Sequence, residues 1–185
     1  MRRVWSRPPD GMQRWQRFAD RVDALNASVG RAMRWAILAC VALAAFSALS
    51  RKLFLYYSNA WSELQWYLLG AVFLFGAADV LRVGEHVRVD VLSQRWSPRT
   101  RAWLDVIALA AVALPISLLM IVLGTAHAWS AFVHGEFSYM ADGLIVWPVR
   151  ALIPLGFVLF GLQCVAQIVR RTEWLRTHPR TWTGA

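Results

Sequence analysis

Three ionisable side chains, His86, Arg88 and Asp90, stand on alternate residues in the stretch RVGEHVRVDVLSQRW, residues 82–96. Imidazole and carboxylate are metal ligands and proton-transfer groups, so metal, catalytic and ion-binding chemistry must each be weighed. Zinc needs three or four converging ligands. His86 and Asp90 can be neighbours on a helix, but they supply only two. A haem between helices needs histidines from two of them at matching depth. His86 lies at one end of an apolar run, His127 and His134 lie near the opposite face, and His178 is in the C-terminal tail. Ser47 and Ser117 fall inside apolar runs without an aligned base, and serines there usually serve packing. The ionisable groups bordering the apolar runs pair locally by spacing: Asp79 with Arg82, and Asp105 with Arg101. Gln163 and Gln167 share one face of the last run and can hydrogen-bond to another helix. No catalytic, substrate-binding or metal residue emerges, and no cofactor is expected.

The elements that position these residues follow from composition. The chain has 185 residues, of which 58% are hydrophobic, with a mean hydropathy of +0.41. Soluble domains average about 45–50% apolar, and here the excess is concentrated in long runs. The reading is an all-α integral membrane protein with four spans, since each needs roughly 20 residues. Residues 1–11, with Pro8, Pro9 and Gly11, read as a disordered N-terminus. Over residues 12–30, Met12, Trp15, Phe18, Val22, Leu25 and Val29 recur at helical spacing. That pattern predicts an amphipathic helix in the headgroup plane, with membrane lipids as its partner, or a helix packed on protein. The membrane domain covers 31–170, with spans at about 31–57, 61–81, 101–132 and 147–169. Residues 171–185 form a tail. Asn59 reads as the N-cap of the second span and Glu63 as an acidic group in its first turn. Pro115 predicts a kink, HGEFSYMADG a loop, and Pro148 a first-turn position of the fourth span.

The net charge is +9. Arginines crowd the N-terminal segment, the 82–101 connection and the tail, whereas the other two connections hold only Arg51, Lys52 and Arg150. Under the positive-inside rule both termini and the 82–101 connection are cytoplasmic. The same arginines explain the charge without nucleic acid, for which no aromatic–basic motif is present. Cys40 and Cys164 lie within apolar runs and read as packing residues. The long charged segment before the first run is unlike a signal peptide.

Residues 51–92, RKLFLYYSNAWSELQWYLLGAVFLFGAADVLRVGEHVRVDVL, resemble the small membrane subunit, DctQ-like, of tripartite ATP-independent periplasmic (TRAP) transporters. The matching positions are Arg51, Trp61, Glu63, Leu64, Gly76, Ala77, His86 and Asp90. Ser62, where many members carry an acidic residue, and Asp79 depart from the pattern. RVDALNASVGRAMRW and DGLIVWPVRALIPLGFVLFGLQ are also similar to the family. The resemblance implies a multi-pass protein of the bacterial inner membrane that works with two partners. One is a large DctM-like membrane subunit that binds substrate and sodium. The other is a periplasmic DctP-like binding protein that delivers an organic acid. The small subunit is expected to pack on the large one and stabilise it. Structural or subunit-interface roles are expected for Arg51, Trp61, Glu63, Asp79, His86, Arg88, Asp90, Arg150 and Gln163. The 82–96 stretch then reads as the end of span two and an interfacial segment. The alternative function is a standalone four-span scaffold or assembly protein.

Overall fold

A computed structural model describes residues 10–54, 58–83 and 97–177. The described residues are almost wholly helical, and four helices are long and apolar enough to cross a membrane. Helix α1 is Asp10–Phe54, α2 is Asn59–Val83, α3 is Pro98–Ala108, α4 is Leu114–His134 and α5 is Trp147–Thr177. A π-helical turn at Leu109–Ala113 joins α3 and α4 into one span, 98–134.

The amphipathic stretch is helical, and it belongs to the same unbroken helix as the first span. At 1.5 Å per residue, the 45 residues of α1 reach about 67 Å, well beyond the roughly 40–45 Å of a bilayer with its headgroups. The N-terminal part of α1 lies against the C-terminal part of α5, where Ala19 and Val22 bury against Ala166 with Phe18 and Leu162 around them. α5 is the hub, packing against α1, α2, α3 and α4, while α1 also packs along α2.

Local chemistry explains the boundaries. Ser58, not Asn59, caps α2: its hydroxyl accepts from the Ala60 amide at 3.3 Å. Asn59 is already helical and turns its amide outward to the Ala141 carbonyl at 3.0 Å. Ser97 caps α3 by accepting from Thr100 N at 3.2 Å, and Pro98 follows it where a missing N–H costs nothing. Pro115 has no N–H for the carbonyl four residues back and its ring crowds that carbonyl. The helix answers with the π turn immediately before it, the expected irregularity in a specific form. Gly135, at φ 58°, closes α4 as its amide returns to Phe132 O and that of Glu136 to Ala131 O.

The buried interior consists mostly of small and polar groups, with Val22, Val106 and Leu175 beside them. Ala78, Ala131, Cys164 and Ala166 are fully enclosed, as are Asn26, Ser117 and Gln163. The large apolar side chains face outward along every span. α2 and α5 cross closely at Gly156, where a Cβ would come 2.7 Å from the Leu74 Cβ. α1 and α2 do the same at Gly30, where a Cβ would collide with the Asp79 carboxylate.

Candidate functional site

Two polar clusters stand at opposite ends of the bundle. The first is built on the connection between α4 and α5. Residues 135–146 fold back on themselves: Phe137 and Ile145 form an antiparallel bridge, and Ser138 N donates to Leu144 O at 3.0 Å. The tip turns through Asp142 at φ 59°. Glu63 of α2 holds this loop with both oxygens. Oε2 accepts from the Leu144 amide at 2.7 Å, and Oε1 accepts from the Ser138 hydroxyl. Asn59 and Tyr67 add bonds to the carbonyls of Ala141 and Ile145. From α5, Arg150 pairs with Glu136 at 2.6 Å. Trp61 packs on Phe46 of α1 with ring centroids 5.3 Å apart. Arg51 lies in the last turn of α1, exposed.

With Ser58 as the cap, Glu63 stands one residue deeper in α2 than the sequence predicted, just past the first turn, where the dipole effect has fallen off. A carboxylate with two loop donors is a mechanical tie between α2 and the loop. Tied in this way, the loop carries Phe137, Tyr139 and Met140 on its outer surface, with Tyr139 wholly exposed.

The second cluster lies between α1 and α5. Gln163 is completely buried and bridges the two helices: Oε1 accepts from Asn26 Nδ2 at 2.6 Å, and Nε2 donates to Asp23 Oδ1 at 2.8 Å. The other oxygen of Asp23 meets Arg170 at 2.5 Å, and Arg170 also reaches Asp20 at 2.9 Å. Gln16 donates to Glu173 further along the same pair of helices. On the α2 side, Gln167 donates to the carbonyls of Leu81 and Arg82, both at 3.2 Å, and satisfies part of that helix end. Asp79 and Arg82 form the pair their spacing predicts, at 2.8 Å. The carboxylate of Asp105 meets Arg171 of α5 at 2.8 Å, a cross-helix contact that the reading of Asp105 with Arg101 did not include.

Asp79 and Gln163 thus sit near the arginine-rich end, and Arg51, Trp61, Glu63 and Arg150 gather at the loop end. His86, Arg88 and Asp90 lie outside the described residues. Among the described residues, no group of three or more His, Cys, Asp or Glu is placed to hold a metal. His134 meets the Ser130 carbonyl of its own helix at 2.8 Å. Sequence reasoning missed Asp23 and Asn26 as partners of Gln163, and Arg170 as the partner of Asp20 and Asp23. The one available signal was Asn26, a polar residue set among the apolar positions of a helical stretch.

Both clusters bind helices to one another, and the spans present apolar surface outward. That combination defines a multi-pass membrane protein whose polar contacts serve architecture. The family model for the DctQ component of tripartite ATP-independent periplasmic transporters matches residues 40–173. The chain belongs to this family, which is a transporter component and not an enzyme family. No curated protein and no solved structure matches the chain.

Proposed function

We propose that this chain is the small permease subunit of a sodium-driven TRAP transporter that imports organic acids together with a periplasmic binding protein. It packs on the large DctM-like subunit and stabilises it in the bacterial inner membrane, with both termini cytoplasmic. It performs no catalysis and carries neither substrate nor ion by itself. The observation that carries this reading is the outward apolar surface of the spans on a chain of this family. In the most apolar window of α1 no residue is buried within the chain. Surface of that kind needs lipid or another membrane protein against it. The polar groups within the membrane region tie helix to helix, which supports a scaffold and not a transport path. The arginine distribution supports the orientation.

Tagged chain, expressed with its native large subunit and solubilised in mild detergent, is expected to recover that subunit at equal stoichiometry. Recovery of this chain alone from membranes that contain the large subunit would favour a standalone scaffold.

A further inference from the structure

At the arginine-rich end, α3 and the C-terminal part of α5 border an open cavity of about 430 Å³. Arg101, Arg170 and Arg171 line it, with Trp174, Gln167 and Ala102 completing the walls. Three guanidinium groups around one small space repel each other unless anionic charge lies among them. Among the described residues, Asp20 and Asp23 supply that charge to Arg170 and Asp105 supplies it to Arg171. Arg170 uses Nη2 on Asp20 and Asp23, and Arg171 uses Nη1 on Asp105. A guanidinium has five N–H donors, so these pairs hold the groups in place without exhausting them. Arg101 is the sharper case: its Nε is buried and has no hydrogen-bond partner. A buried donor left unmet on a charged group is costly. The N-terminal end of α3, whose dipole is positive, adds to the same field.

We propose that this cavity binds a phosphate-bearing ligand, with the phosphate oxygens accepting from Arg101, Arg170 and Arg171. Guanidinium forks match phosphate in shape and charge. Position names the first source. The cavity stands where α3 enters its apolar run and α5 leaves its own, which is headgroup depth. Trp174 gives it an amphipathic wall of the kind found at membrane interfaces. The phosphodiester of an anionic phospholipid fits this depth, and free phosphate offers the same chemistry from water.

The full chain, in nanodiscs of phosphatidylcholine with and without phosphatidylglycerol, provides the test. Native mass spectrometry reads lipid retained per chain. The wild type is expected to keep phosphatidylglycerol in preference to phosphatidylcholine. Arg101→Gln should lower that retention about tenfold, the scale of one charge-assisted hydrogen bond. Arg101→Lys, which keeps the charge and loses the fork, should fall between. Arg34→Gln, an exposed arginine on α1, should retain lipid as the wild type does. Circular dichroism establishes that each variant is folded.

In phosphatidylcholine alone, inorganic phosphate is titrated at constant ionic strength while thermal unfolding is followed. Stabilisation that Arg101→Gln abolishes, without preference for phosphatidylglycerol, assigns the site to free phosphate. Equal lipid retention and equal phosphate response in wild type and folded Arg101→Gln would overturn the proposal. So would those equal responses accompanied by weakened binding of Arg101→Gln to the large subunit, which would make the cavity a seat for an acidic protein segment.

Discussion

Glu63 illustrates how partners decide a residue's worth. A carboxylate near a helix N-terminus gains about 0.3–1 kcal/mol from the dipole. A hydrogen bond to a charged group contributes about 1.5–3 kcal/mol. Glu63 accepts two such bonds, from Leu144 N and the Ser138 hydroxyl, so the loop contacts dominate. Glu63→Ala is therefore expected to destabilise the loop end by about 2 kcal/mol. Hydrogen exchange at the Leu144 amide reads this directly and should quicken. Glu63→Gln keeps one acceptor and should restore much of the protection. Unchanged exchange in Glu63→Ala would show that the loop holds itself. The sequence pointed to Glu63 but not to its partners, because Ser138 and Leu144 are distant in the chain and are brought close only when α4 and α5 pack together.

At the scale of the elements, the four spans, the loop and the irregularity at Pro115 were all legible from hydropathy and proline placement. The buried seam was legible only in part: Gln163 and Gln167 were marked for cross-helix hydrogen bonds, but their partners were not. Of the periodic residues, Val22 is buried and Phe18 packs beside it, yet Trp15 and Leu25 are exposed, and Ala19, Asn26 and Gly30 complete the buried face. Here hydrogen bonding and close approach select the contact residues, which apolar periodicity does not read. Hydrophobic periodicity then finds the helix and only part of its inner face. Two outcomes follow. Gly156→Ala should force α2 and α5 apart at Leu74 and cost about 1–3 kcal/mol by overpacking, read as a lowered midpoint of thermal unfolding. Asn26→Ala and Gln163→Ala should be coupled by about 1 kcal/mol in a double-mutant cycle, since the Asn26 amide donates to the Gln163 side-chain carbonyl. Additive effects would remove the Asn26–Gln163 bond from the account of how α1 is held.

For the whole molecule, orientation and partnership are the open consequences. Arginine density at the α3 entrance and the α5 exit, with its scarcity at the loop, supports the proposed sidedness. In a background with Cys40 and Cys164 replaced, Tyr139→Cys should react with an impermeant thiol reagent in intact cells, and Thr177→Cys only after lysis. The reverse pattern would invert the molecule. Four spans were readable in outline, whereas the surface proposed to meet a large subunit is not marked by any residue pattern, because lipid-facing and partner-facing positions would both be apolar. The central claim is that this chain supports transport without performing it. The direct measurement is sodium-driven organic-acid uptake into proteoliposomes supplied with the binding protein. They contain this chain alone, the large subunit alone, or both. Uptake should appear with both and be absent with this chain alone. Uptake that requires only this chain, or that is undiminished when it is omitted, would contradict the account.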